Sequence, residues 1–342
     1  MINVGVIGYG YWGPNIVRNF VEAGETCVLG VSDLSPSRLA LLRMRYPHIQ
    51  VTADAIGLIR DPRVDAIAIC TPVNSHFELA MTALKAGKHV FVEKPIADNS
   101  DHAQRMIEEA CRRKLILMVD HTFVYTGAVR KIRELVQSDT LGEIYYYDSV
   151  RVNLGLFQHD VDVMWDLAVH DLSIMQAVLE ETPLAVSATG MTHVAGRPAN
   201  VAFLTLFFAS NLIAHLHVNW LSPVKLRRTL IGANRQMIVY DDLESSDKIK
   251  IYDKGITVTN TPHNLHEVLV SYRTGDMWSP KLETMEALLT EVRHFADCVQ
   301  QNCTPLTDGV AGLKVVQILE AASRSALDRG RPIELAQAAM AV

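Results

Sequence analysis

Cysteine is scarce in this chain and poorly placed for pairing. The five, Cys27, Cys70, Cys111, Cys298 and Cys303, are odd in number and include no C-x-x-C. That spacing excludes a disulfide framework and a cysteine-based zinc site, and it suits a reducing cytoplasm. An excess of positive charge is also lacking. With 32 Lys+Arg against 38 Asp+Glu the net charge is −6, so there is no electrostatic footprint for duplex nucleic acid or an anionic membrane. The opening Met1-Ile2-Asn3-Val4 has no basic stretch before its apolar run, and no signal peptide is expected. The most apolar long stretch, 201–220, is interrupted by Thr205, Ser210, Asn211, His215, His217 and Asn219, which argues against a transmembrane helix. Neither G-x-x-x-x-G-K-S/T nor G-x-S-x-G occurs, leaving phosphate-loop and serine-hydrolase readings without a motif.

What is present is an ordinary globular composition, 49% apolar and 20% charged over 342 residues. At ~100–200 residues per domain this predicts about two domains. Apolar β-rich runs at 3–7, 27–31, 64–70, 89–92 and 115–119 alternate with helix-period stretches at 14–23, 36–45, 76–86 and 101–113. Ser35 precedes Pro36 as a helix start, and Ser100 is placed to cap the last of these helices. The alternation predicts a mostly parallel, doubly covered sheet. From about residue 120 the pattern changes. Helices are expected at 128–137 and 162–179, strands at 143–152, 185–192, 201–208, 212–220, 225–231 and 236–240, and two closing helices at 283–300 and 309–329. Short strands at short spacing imply an antiparallel-rich sheet. The expected division is therefore an α/β domain over 1–120 and an α+β domain with a large open sheet over 121–342.

The chemistry gathers at the ends of the first-domain strands. Gly8-Tyr9-Gly10-Tyr11-Trp12-Gly13 joins the first strand to the first helix, and Asp33 ends the second strand 20 residues past Gly13. Gly8 permits the tight turn, Gly10 the approach of a pyrophosphate, and Gly13 close packing of helix on strand. Asn15 lies at the helix N-terminus, where free N–H groups suit phosphate. Asp33 is where an acid takes the adenosine ribose hydroxyls; this favours NAD, while Arg38 nearby keeps NADP open. Thr71 and Pro72, with Asn74 and His76, follow the third apolar run, and Glu93-Lys94-Pro95 follows the fourth. Ligands of open parallel sheets bind at such carboxyl ends. Pro95 is a candidate cis proline. His121 sits at the same edge. In the second domain, Trp165-Asp166-Leu167-Ala168-Val169-His170 puts Asp166 and His170 on one helix face, a carboxylate beside an imidazole as general-base chemistry needs. Arg151 and Asn153 are candidate substrate contacts. His215-x-His217 reads as a half-polar sheet face, and no metal site is expected. His48, His102, His193, His263, His266 and His294 carry no assigned role.

With these residues in place, the chain resembles the Gfo/Idh/MocA oxidoreductase family over nearly its whole length. The resemblance rests on Val6-Ile7-Gly8-Tyr9-Gly10-Tyr11-Trp12-Gly13-Pro14-Asn15, on Thr71-Pro72 with His76, on Glu93-Lys94-Pro95 and on Asp166-x-x-x-His170. Asp120-His121-Thr122-Phe123, Ser149-Val150-Arg151-Val152-Asn153-Leu154-Gly155 and Trp165-Asp166-Leu167 are similar to the nucleotide-sugar 3-dehydrogenase branch. Thr126-Gly127 and Val169-His170 depart from that branch, which tends to carry Asn-Pro and Pro-His there. The resemblance implies hydride transfer from C3 of a UDP-N-acetyl-hexosamine or its uronic acid to NAD. It implies His170 as base, Lys94 as donor to the reacting oxygen, Asp166 as orienting group, and Trp165 beside the substrate. It also implies a homodimer or homotetramer through the second-domain sheet. Alternatives are an NADP-dependent ketosugar reductase of deoxysugar or antibiotic assembly, a polyol or free-sugar dehydrogenase, and a non-catalytic dinucleotide sensor.

Overall fold

The computed structural model describes residues 1–155, 161–253, 255–259 and 269–335. His263 and His266 lie outside these residues. The chain divides into two compact units, Met1–Thr126 with Met285–Glu320 and Gly127–Thr284 with Ala321–Val342. The expected break after residue 120 falls a few residues late, and 285–320, expected in the second domain, joins the first.

In the first unit the order is β1 (Ile2–Ile7), α1 (Gly13–Glu22), β2 (Thr26–Ser32), α2 (Pro36–Arg45), β3 (Gln50–Thr52), α3 (Ala55–Arg60), β4 (Ala66–Ile69), α4 (His76–Lys85), β5 (His89–Glu93), α5 (Ser100–Arg113) and β6 (Leu117–Asp120). The sheet order is β3-β2-β1-β4-β5-β6, parallel throughout. Order reverses between β1 and β4, the switch point where such sheets open a crevice. Four of the six strands, β1, β4, β5 and β6, are almost wholly apolar inside, so they read as continuous hydrophobic runs. Phe20 of α1, Phe91 of β5 and Phe295 meet edge to face at 5.6–6.2 Å, which ties the late helix bearing Phe295 into this core. At the α5 start the cap is Asn99, whose side chain accepts from the His102 N–H at 2.8 Å. The expected Ser100 instead donates its hydroxyl to Glu320.

The second unit runs α6 (Gly127–Gln137), β7 (Ile144–Leu154), a π-helical turn at Met164–Ala168, α7 (Val169–Val178), β8 (Ala185–Met191), β9 (Val201–Phe207), β10 (Ile213–Asn219), β11 (Leu221–Ala233), β12 (Met237–Asp241), β13 (Ile249–Tyr252), β14 (Gly255–Thr259), β15 (Leu269–Arg273) and β16 (Met277–Trp278). Then follow α8 (Ala287–Gln301) and α9 (Gly309–Leu327), both opening in the first unit, and the short β17 (Ile333–Glu334). The nine-stranded sheet has the order β16-β13-β12-β11-β7-β10-β9-β8-β17. It is antiparallel except for the β7–β10 pair. The departure at Gly127 has a packing reason: a Cβ there would sit 2.2 Å from the Glu283 carbonyl oxygen. Only glycine allows that backbone approach. No helix among the described residues is long and apolar enough to cross a membrane.

Candidate active site

The first-unit site is built from strand ends. Gly8 has φ +97°, and a Cβ on it would meet the Cys70 carbonyl oxygen at 2.6 Å. A Cβ on Gly13 would meet the Gly8 carbonyl oxygen at 2.3 Å. The turn therefore lies tightly against β4 and against itself. Around Gly10, by contrast, the nearest group is the Arg38 guanidinium at 3.6 Å, leaving room above the backbone. Tyr11 is exposed, while Trp12 is half-buried and donates its indole N–H to Asp120 at 2.8 Å. Asn15 lies in the first turn of α1, its backbone N–H donating to the Trp12 carbonyl at 2.9 Å.

Asp33 is pinned by the backbone. One carboxylate oxygen accepts from the Tyr9 N–H at 2.7 Å and the other from the Ser35 N–H at 2.8 Å. The exposed Arg38 sits 3.5 Å away. An acid held this way is suited to accept from ribose hydroxyls and to repel a 2′-phosphate. We expect a higher kcat/KM with NAD than with NADP, and a narrowed ratio in Asp33→Ser. The reverse preference in steady-state kinetics would contradict this account of Asp33.

Two loops meet over His76. Its Nδ1 lies 2.9 Å from the Pro95 carbonyl and its Nε2 2.8 Å from the Thr71 carbonyl. His76 is buried, and burial lowers its pKa. Expected as a cofactor contact, it instead ties the Thr71-Pro72 turn to the Lys94-Pro95 turn. Pro72 and Asn74 are exposed beside it. The Lys94–Pro95 bond is cis. Glu93 accepts the Lys94 backbone N–H at 2.6 Å, so Lys94 leaves the carboxyl end of β5 from a fixed backbone.

Below this edge lies a group of buried acids. Asp120 accepts from Trp12 and from the Thr122 hydroxyl. Glu291 of α8 is fully buried beside Asp120, and burial together with Asp120 pushes its pKa well up. Sequence reasoning missed Glu291, although it falls on the same helical stripe as Leu288, Val292 and Phe295. His121 is buried with both ring nitrogens lacking a hydrogen-bond partner among the described residues. Burial, then the Lys94 ammonium, lowers its pKa to about 3.

In the second unit, Asp162 opens the helical segment by accepting from the N–H groups of Met164 and Trp165 at 2.9 and 3.1 Å. The segment is not the uniform α-helix expected from 162. It begins as the π turn that holds Trp165 and Asp166, and α7 then carries His170. Such turns are rare and concentrate at functional sites. Asp166 and His170 are both half-buried. The Asp166 carboxylate accepts the Trp220 indole N–H at 3.1 Å, and the Trp165 indole donates to the Ser323 hydroxyl at 3.0 Å. Asn153 lies half-buried near the end of β7.

Arg151 is a correction. It is buried, its Nε donates to Asp171 at 2.7 Å, and Ser149 donates to the same carboxylate at 2.7 Å. The guanidinium is paired with Asp171 inside the second unit. It anchors α7, and so His170, to β7. His217 stacks on Phe203 at 4.4 Å, and His215 faces Asp148 at 3.4 Å. No metal-holding group of three or more His, Cys, Asp or Glu occurs among the described residues.

A six-stranded parallel sheet with a glycine turn and a pinned acid is a dinucleotide-binding architecture. The family model described as "Oxidoreductase family, NAD-binding Rossmann fold" matches residues 2–121, and the Gfo/Idh/MocA C-terminal domain model matches residues 129–238. The chain belongs to the Gfo/Idh/MocA oxidoreductase family. It is 25% identical to myo-inositol 2-dehydrogenase from Thermotoga maritima, covering 98% of each chain. It is 26% identical to UDP-N-acetylglucosamine 3-dehydrogenase from Acidithiobacillus ferrooxidans, covering 92% of this chain and 94% of the relative. The solved structure of that enzyme superposes with a TM-score of 0.79 at 24% identity, covering 95% of this chain and 97% of the other. The open backbone at Gly10, the N-terminus of α1 and the pinned Asp33 fit a bound NAD. The relatives' names agree on dehydrogenation of hydroxyl groups and differ in the substrate.

Proposed function

We propose that this chain oxidises the C3 hydroxyl of a nucleotide-linked sugar, a UDP-N-acetyl-hexosamine or its uronic acid, with NAD. Bound NAD supplies the hydride acceptor. His170 takes the hydroxyl proton on its ring, and Asp166 orients His170. The Lys94 ammonium donates to the reacting oxygen and stabilises its developing negative charge. The observation that carries this reading is Lys94 at the carboxyl end of β5, on the same sheet edge as the glycine turn. The similarity to UDP-N-acetylglucosamine 3-dehydrogenase over 92% of the chain supports the sugar class. UDP-N-acetylglucosamine deuterated at C3 should pass its label to the nicotinamide, seen by mass spectrometry of the reduced cofactor. Turnover that leaves the label on the sugar would move the reaction to another carbon. The equally long similarity to myo-inositol 2-dehydrogenase supports a second reading, a polyol dehydrogenase using the same residues.

The functional unit is proposed to be a homodimer or homotetramer in the cytoplasm. On one face of the large sheet, Phe207 pairs with Ile213, Phe203 with His217 and Ile213 with Tyr146, and Phe203, Phe207, Ile213 and Tyr146 are exposed. A contiguous apolar patch of this kind marks an interaction surface. Light scattering should give at least twice the chain mass; a monomer at micromolar concentration would rule out assembly through this face.

A further inference from the structure

Trp220 stands between β10 and β11 and is fully buried. Its backbone is held on both sides: its N–H donates to the Asn200 carbonyl at 2.9 Å, and its carbonyl accepts from Gly155 at 3.0 Å. The ring is held as well. A Cβ on Gly155 would sit 2.4 Å from the indole Cδ1, so glycine alone lets that backbone lie against the ring. Fixed this way, the indole directs its N–H at the Asp166 carboxylate, 3.1 Å away. Asp166 itself sits in the π turn, and β10 packs against that turn. A hydrogen bond to a carboxylate is roughly twice as strong as a neutral one. It is also directional, so the donor selects one orientation of the acceptor.

We propose that Trp220 is a positioning residue for the acid–base step: its indole N–H fixes the Asp166 carboxylate, and through Asp166 it sets the aim of His170. The inference rests on the proposed roles of Asp166 and His170. A Trp that merely fills the core would use Asp166 only to satisfy its own N–H, and the two cases separate experimentally. Trp220→Phe keeps most of the ring volume and removes the donor. With NAD and either UDP-N-acetylglucosamine or myo-inositol, whichever turns over, Trp220→Phe should lower kcat about tenfold and leave KM for NAD unchanged. In an Asp166→Ala background the same replacement should lower kcat no further, because the acceptor is already gone. Unchanged kcat in Trp220→Phe, or an equal further loss in the Asp166→Ala background, would overturn the proposal. Wild-type kcat in Asp166→Asn would instead overturn the reading of the site beneath it. A second measurement needs neither turnover nor the Phe variant. In protein labelled with 15N at the indole nitrogens, one of the four tryptophan N–H signals should shift in Asp166→Asn while the other three hold their positions. No shifted signal would show that the contact does not govern Asp166.

Discussion

His170→Ala is expected to lower kcat by about 10²–10⁴-fold, the usual contribution of a placed general base, with NAD affinity and melting temperature near wild type. NAD binding should survive because the glycine turn and Asp33 lie in the first unit, whereas His170 lies on α7 in the second. Lys94→Ala should cost at least as much, since it removes the donor to the developing alkoxide. Lys94→Arg should not restore the rate: the guanidinium is wider and spreads its charge over a plane. Asp166→Asn should be milder than either. At the first-unit strand edge the imidazoles are His121, buried with its pKa pushed down to about 3, and His76, set between the Pro95 and Thr71 carbonyls. Near-wild-type kcat in His170→Ala at neutral pH would remove His170 from the base role.

The second large effect is on stability. Asp171→Asn removes the carboxylate to which the buried Arg151 guanidinium is hydrogen-bonded, and breaking such a pair typically costs about 3–5 kcal/mol. For a chain of this size that is a fall in melting temperature on the order of 10 °C. Replacing both partners together, Arg151→Met with Asp171→Leu, should recover most of the loss, because apolar side chains fill the site without a stranded charge. The same pair anchors α7, so Asp171→Asn should also lower kcat. A melt within about a degree of wild type would mean that Arg151 finds another partner and that the pair does not hold the helix.

The parallel sheet was readable because its strands are buried on both faces and read as apolar runs ending at chemistry-bearing turns. Gly8, Asp33, Lys94 and His121 all lie where that logic places them, at carboxyl ends of strands. The short elements β3 and α3 were not readable, since three and six residues carry no period. The π turn at Met164–Ala168 was hidden for a different reason. Apolar spacing distinguishes helix from strand but not bonding to the fifth residue from bonding to the fourth. The charge of Arg151 suggests a substrate contact, whereas strand alternation puts it on the buried side of β7. Tyr147, Ser149 and Arg151 all point to the buried side of β7, a polar row that needed an acid such as Asp171. Trp220 closes an apolar run and looks like packing until its N–H is followed to Asp166. The late helix α8 was assigned to the second domain because chain order suggested it; Phe295 meeting Phe20 and Phe91 places it in the first.

This chain is proposed to move a hydride from a sugar carbinol to NAD. The direct test is the growth of reduced-nicotinamide absorbance when purified protein and NAD are given UDP-N-acetylglucosamine, its uronic acid, TDP-sugars, free sugars and myo-inositol in parallel. The account predicts growth with the UDP-N-acetyl-hexosamine or its uronic acid, abolished to the same extent in Lys94→Ala and His170→Ala. Growth with myo-inositol alone would keep the chemistry and replace the substrate class. Absence of growth with every substrate, in protein shown to bind NAD, would contradict the account and leave a dinucleotide-binding protein without this activity.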